Sequence, residues 1–333
     1  MLDIFNDDAF SLVPLTDAIN KIKFVPGRLG AMGLFNATPV TTTTIGIEEK
    51  EGQLSLVSPS ARGGPGNTMD KNKRTMRSLS IPHFQLDDAV MAEEVANIRA
   101  WGTETQVETV MGKVSDRMGV LSQSLDATEE YARIGAIKGT ITYADASTLN
   151  LFTTFGVTAQ TEVDFDLDNA SPASGALRKK CATVVRTIQD ELGGMPIQGV
   201  HALCSSEFFD DLIAHPEVRD TYLGWVEAQE LRKGYAYGAF PFGGIMWEEY
   251  RGSVGATRYI AADKAHIFPV GVPGLFRSYY APADYIETVN TVGQSRYAYM
   301  YPMPNRKGMN LEVQTNPLHI CTRPRVLVPA RRT

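Results

Sequence analysis

The stretch 41–66, TTTTIGIEEKEGQLSLVSPSARGGPG, leads through a short basic run into 81–102, IPHFQLDDAVMAEEVANIRAWG, and then into a helical pattern over 104–137. Ile45 and Ile47 alternate with Gly46 and Glu48, and the threonines before them favour extended chain. Gly52 marks a turn and LSLVSP (54–59) offers a second strand, so the spacing predicts a long hairpin. ARGGPGNT (61–68) reads as a tip or joint, with Gly63, Gly64 and Gly66 as its flexible positions. The whole excursion, 37–85, is polar and carries no core of its own. A compact enzyme gains little from such a segment. It makes sense if it folds against another copy of the chain, which points to self-assembly.

Working outward, Val107, Val110, Met111, Val114, Met118, Leu121, Leu125, Ala132 and Ile137 recur mostly at three- and four-residue intervals. Over 104–137 this predicts a rod of ~50 Å, with Thr103 and Gln106 as its capping box. Gly112, Gly119 and Gly135 each weaken it by ~1 kcal/mol. Gly112 and Gly119 share a face, which suits either close backbone approach or a bend. Just before the rod, Val90, Met91, Val95, Ile98 and Trp101 suggest a short helix over 86–102, ended by Gly102.

Residues 1–36 read as an arm: apolar but aperiodic, with one short helix near 15–23 and breaks at Pro26, Gly27, Gly30 and Gly33. Beyond Gly139, ITYAD and LNLFTTFGV read as strands. A helix over 175–192 buries Leu177, Cys181, Val184, Val185, Ile188 and Leu192, with Ser174 as N-cap and Gly193 as stop. VHALCS (strand), SEFFDDLIAH (helix), a helix candidate over 216–232 and a strand-rich run from 236 make the middle third a compact α/β region. In SRYAYMY, Tyr297, Tyr299 and Tyr301 share one strand face and Ala298 and Met300 the other. After the turn NRKG (305–308), MNLEVQ, PLHIC and RVLVPA continue as strands. These are expected to build a long sheet under the rod, in an α+β fold.

The chain has 333 residues, 43% hydrophobic and 21% charged, with net charge −6. That is a globular composition, and the acidic balance argues against a dedicated DNA-binding face. The start, MLDIFNDDAF, lacks the basic and apolar regions of a signal peptide. The longest nearly apolar stretch, 236–247, is interrupted by Pro241 and falls short of the ~20 residues that span a bilayer. A soluble, cytoplasmic product is expected, with Cys181, Cys204 and Cys321 as reduced core thiols.

Catalytic chemistry finds little support. Gly293-Gln-Ser295-Arg-Tyr lacks the second glycine of a nucleophile elbow, and GGPGNT lacks the lysine of a phosphate loop. Asp164, Asp166 and Asp168 are expected on one solvated face of an edge strand; Asn169 and Gly175 stand where a calcium loop needs Gly and Glu. His83, His201, His215, His266 and His319 show no ligand spacing, and His201 with Cys204 is an isolated pair. Glu129/Glu130 and Glu248/Glu249 read as surface pairs. No catalytic, cofactor or metal residues are assigned. The basic run Lys71, Lys73, Arg74 and Arg77 reads as a solvated face or, with Arg62, Glu48 and Glu49, as inter-subunit contacts of the loop.

In this order the parts resemble the lambda-type phage major capsid proteins, the major capsid protein E family with its HK97-like fold. TTTTIGIEEKEGQLSLVSPSARGGPG is similar to that family's extended loop. IPHFQLDDAVMAEEVANIRAWG, with Glu94, Arg99 and Gly102, resembles the loop's return, and DATEEYARIGAIKGTITY (126–143) the end of its spine helix. PLHICTRPRVLVPA (317–330) resembles its closing strands. The resemblance implies an arm (1–36), an extended loop (37–85), a peripheral domain (86–155 and 290–333, spine helix 104–137) and an axial domain (156–289). It further implies hexamers and pentamers in an icosahedral shell of the virion, assembled in the host cytoplasm. The implied partners are a scaffolding protein, a portal protein, a decoration protein and packaged double-stranded DNA held by weak, non-specific contact. Any covalent crosslink would have Lys71 and Lys73 as candidates by location. The alternatives are an encapsulin-like compartment shell and a soluble α/β enzyme. Deleting 40–82 is expected to leave a folded subunit unable to form shells.

Overall fold

A computed structural model describes residues 27–50, 74–95, 110–169, 171–219, 239–254 and 257–333. The arm's expected helix, the strand LSLVSP, the tip 61–68 and the start of the rod lie outside the described residues.

The largest sheet has six strands. Its order is β7 (Val163–Asp164), β18 (Val328–Arg331), β13 (Lys264–Val270), β8 (Gly199–Cys204), β10 (Ile245–Glu249) and β9 (Phe240–Phe242). Its central strand β8, GVHALC, is apolar but for His201 and buried along nearly its whole length, as a strand covered on both faces must be. The helices α5 (Ala176–Leu192) and α6 (Ser206–Ala214) contribute Leu177, Cys181, Val184, Ile188, Phe208 and Leu212 to the same core. A three-stranded sheet joins β1 (Asn36–Pro39), β14 (Phe276–Tyr280) and β17 (Pro317–Cys321), and another joins β15 (Tyr297–Pro302), β16 (Gly308–Thr315) and β4 (Phe84–Met91). Two-stranded ribbons pair β2 (Thr44–Lys50) with β3 (Arg74–Ser80), β5 (Thr140–Thr142) with β6 (Thr148–Asn150), and β11 (Ser253–Val254) with β12 (Thr257–Arg258). Further helices are α1 (Arg28–Met32), α2 (Ala92–Val95), α3 (Val110–Lys138) and α4 (Leu151–Phe155).

The predicted rod is α3. Its first half lays Val114, Met118 and Leu125 on Ala298, Met300, Leu311 and Val313 of the β15–β16–β4 sheet. Its last turns, with Ala132, Ile134, Ala136 and Ile137, run into the main core. The single apolar stripe thus holds only for the first half. Close backbone approach occurs at Gly135, where a Cβ would lie 2.7 Å from Ile141 Cα, whereas a Cβ at Gly119 meets nothing within 4 Å. Gly135→Ala should therefore cost about 1–3 kcal/mol, since the backbone at Ile141 must move. Gly119→Ala should add ~1 kcal/mol of helix propensity. Urea unfolding of the two variants should shift in opposite directions.

Several expectations are corrected. The helix expected over 86–102 is a strand up to Met91, because β4 pairs with β16 along its whole length, Phe84 opposite Thr315 to Met91 opposite Gly308; it is helical over Ala92–Val95, and 96–102 lie outside the described residues. LNLFTTFGV is a strand only to Asn150, whose side chain accepts from the Phe152 and Thr153 amides and so starts a helix. Ser174 is not the cap of α5. Gly175 holds that place, and the Glu217 carboxylate accepts from the Leu177 and Arg178 amides at 3.4 and 3.3 Å. The three aspartates share no strand face, because β7 ends at Asp164 and Asp166 turns left-handed at φ 55°. The C-terminal strands do not form one long sheet: β16, β17 and β18 fall in three different sheets. The helix candidate over 216–232 is helical at 216–219, and the rest is outside the described residues. The three cysteines are buried and free, as expected.

Candidate assembly surfaces

The hairpin is wider than its sequence suggests. Ile45 stands opposite Leu79, Ile47 opposite Arg77 and Lys50 opposite Arg74, so β2 pairs with RTMRSLS (74–80), which carries Arg74 and Arg77 of the basic run, and not with LSLVSP. Ile45, Leu79 and Ile81 enter the main core and root the ribbon, while Met76 is 72% exposed. Among the described residues the ribbon pairs with no further strand. Of the residues expected to make inter-subunit contacts, Glu48, Glu49 and Arg74 lie on its outer part. Arg62, Lys71 and Lys73, with the joint Gly63, Gly64 and Gly66, lie outside the described residues. Arg77 turns inward and donates to Thr154 O at 2.6 Å, tying the root to its own subunit.

Glu129 and Glu130, read from sequence as a surface pair, are both 4% exposed. The reason is that the last turns of α3 are covered on all sides, so even the polar positions are buried there. Glu129 accepts from Arg296 Nη1, from Arg133 Nη2 at 2.7 Å, from Thr315 Oγ1 at 3.1 Å and from the Tyr280 hydroxyl at 3.2 Å. Arg296 also holds Asp126. Burial would raise the Glu129 pKa, but the Arg296 and Arg133 guanidiniums outweigh it and keep the carboxyl below its usual range. Beside it His319 is fully buried, its Nδ1 2.6 Å from the Ser278 hydroxyl, and burial pushes its pKa down to about 3. Glu130 accepts from the amides of Leu29 and Gly30 at 2.7 and 3.3 Å, and Gly27 leaves it the room it needs. Arg28 pairs with Glu248, which also bonds His201 Nε2 at 2.9 Å. One end of α3 thus fastens two sheets and α1, and α1 in turn holds the six-stranded sheet through Arg28 and Glu248.

This arrangement is a clamp. Each buried charge is held by an opposite charge or a neutral donor. No group of three His, Cys, Asp or Glu among the described residues is placed to hold a metal. No helix among them is long and apolar enough to cross a membrane.

Outward-facing apolar residues gather elsewhere. In the loop between β14 and β15, Ile286 is 91%, Val289 65% and Val292 56% exposed. The loop is fixed from within: Thr288 Oγ1 donates to Ala283 O at 2.6 Å, and the Gly293 amide to Val40 O at 2.9 Å. Val120 on α3 is 62% exposed. Apolar side chains held out on rigid backbone are what an assembly contact needs, because little ordering entropy remains to be lost on binding. Sequence reasoning missed these residues, whose only sign is the run of β-branched residues between Ile286 and Val292.

The sequence has clear relatives. The major capsid protein of Pseudomonas phage KPP10 is 29% identical, across 97% of each chain. That of Salmonella phage Felix O1 is 26% identical, across 99% of this chain and 98% of the relative. Among solved structures, a putative capsid protein of a prophage from E. coli CFT073 superposes with a TM-score of 0.57 at 10% identity, covering 95% of this chain and 97% of that one. The capsid of Ralstonia phage GP4 gives 0.52 at 10% identity, covering 90% and 87%. These likenesses show an HK97-like fold. The family described as "Phage major capsid protein E" matches residues 11–332, and with that match the chain belongs to it.

Proposed function

We infer that this chain is the shell-forming subunit of a tailed phage head, many copies of which enclose the double-stranded DNA genome. The observation that carries this reading is the family match over residues 11–332. The rooted ribbon and the outward-facing apolar loop agree with it. The role is structural rather than enzymatic. In this reading residues 1–36 are the arm and 37–85 the extended loop laid on a neighbour. Residues 86–155 and 290–333, with α3 as spine, form the peripheral domain, and 156–289 the axial domain of hexamers and pentamers. A subunit of net charge −6 holds packaged DNA only by weak, non-specific contact. A scaffolding protein, a portal protein and a decoration protein complete the partner set, and assembly takes place in the host cytoplasm.

Negative-stain electron microscopy of the purified chain, alone and co-expressed with a scaffolding protein, tests this. Closed particles tens of nanometres across are expected, with their regularity dependent on the scaffold. A discrete small oligomer under both conditions overturns the reading.

A further inference from the structure

At the root of the β2–β3 ribbon lies a cleft of about 530 Å³, with Ile47, Phe155, Tyr279 and Pro324 on its walls and arginines along its rim. Arg325 is paired with Glu191 at 2.7 Å. The other two have only neutral acceptors among the described residues. Arg277 donates to Gly274 O at 3.3 Å and to the Tyr279 hydroxyl at 3.4 Å; Arg323 donates to Leu192 O at 3.3 Å. Each guanidinium has five N–H donors, so both keep capacity for a carboxylate. The walls are aromatic and aliphatic, which suits a peptide carrying acids between apolar side chains better than the evenly charged backbone of a nucleic acid.

The chain contains such a peptide. Its first twenty residues hold Asp3, Asp7, Asp8 and Asp17 and no lysine or arginine; Ile4 and Phe5 stand among the first three acids and Phe10 just after them. The segment before Gly27, fully extended, reaches up to about 90 Å, enough to cross onto another subunit.

We propose that the acidic N-terminal segment of a neighbouring copy docks in this cleft, its aspartates on Arg277 and Arg323 and its phenylalanines against Phe155 and Tyr279. The proposal rests on the shell reading and deepens it, because it names the surface on which one subunit's arm holds the next. The docked arm would brace the root of the ribbon through Ile47, coupling the arm and loop contacts of a single subunit.

The test is site-directed disulfide trapping in the full chain. Asp8→Cys and Arg323→Cys are combined, and the protein is mildly oxidised at a concentration that supports assembly. The native cysteines, all buried, stay out of the reaction. A reducible ladder of dimers and higher species is expected on a non-reducing gel. A faster-migrating monomer alone means that the segment docks on its own chain. No crosslink means that the cleft takes something else, nucleic acid included. Either result overturns the proposal. A charge swap gives a second, independent reading. Arg277→Glu with Arg323→Glu should cut shell yield at least about tenfold, the loss of one charged pair or more. Adding Asp7→Arg and Asp8→Arg should restore it, and an unchanged yield in the first variant overturns the proposal. If the ladder forms while microscopy shows no closed particles, the shell reading fails and the docking stands.

Discussion

A subunit whose hairpin is closed at its root, with Ile47 joined to Arg77 through Asn-Gly, should fold normally and form no shells. The pairing register makes this trimming specific. Ile47 and Arg77 face each other, so a two-residue turn replaces 48–76 without moving Ile45 opposite Leu79. Ile45, Leu79 and Ile81 stay in the core and Arg77 keeps its bond to Thr154 O. The wider deletion over 40–82 is the wrong experiment, because it strips all three core side chains, and losing one such residue already costs about 2–5 kcal/mol. What the trimmed chain lacks is the outer ribbon with Glu48, Glu49, Arg74 and Met76. Losing even two interface contacts of ~2 kcal/mol weakens association roughly a thousandfold. Sedimentation should show a small species under conditions where the full chain assembles, with an unchanged melting curve by circular dichroism. Shells of normal size from the trimmed chain would show that the ribbon is not an assembly element.

The long elements were legible in the sequence because their periodicity is local. Val114, Met118 and Leu125 announce the rod, and Leu177, Cys181, Val184 and Ile188 announce α5. Elements decided by a distant partner were misread. Leu86 and Val90 fit a strand or a helix equally well until β16 is known to lie beside them. The ribbon's return strand was misplaced because LSLVSP is the more apolar candidate, whereas Leu79 and Ile81 earn their burial from a core assembled elsewhere in the chain. Glu129 and Glu130 were misjudged for the same reason. The i,i+4 pair of Glu129 and Arg133 is visible in sequence, but nothing local says that Arg296, Thr315 and Tyr280 close over it. The surface offered to other subunits was the least legible part, since exposure is a property of the finished fold.

The clamp at the end of α3 predicts the largest change in stability. Glu129→Gln keeps the shape and removes the charge, leaving Arg296 with Asp126 and Arg133 with Glu130. Breaking a buried pair by removing one partner costs about 3–5 kcal/mol. Asp164→Asn is the control. Its pair with Arg331 has both side chains exposed, 40% and 47%, and such pairs contribute ~0–1 kcal/mol. If the two variants lose equal stability in urea, the clamp is not what holds the sheets together. The same cluster sets the response to acid. The folded-state pKa of Glu129 is depressed, so its contribution is present above the ordinary carboxylate range and is lost as pH falls through the folded value. His319 and His266 are also depressed, to about 3. Burial is the main cause for both, with Arg133 and Arg296 adding to it at His319, where Glu129 opposes, and Lys138 and Lys264 at His266. Both are neutral when folded, while the unfolded chain takes up their protons below about pH 6.5. Their contribution is therefore full above that pH and drains away between about 6.5 and 3, at up to ~1.4 kcal/mol per pH unit for each. Stability measured from pH 7 down to 4 should fall with a slope that His319→Gln reduces by one proton's worth. An unchanged slope in that variant would mean that His319 already takes up its proton in the folded subunit. A clamp that loosens in acid while the ribbon's contacts persist would separate subunit stability from shell stability, so intact particles should survive to lower pH than free subunits.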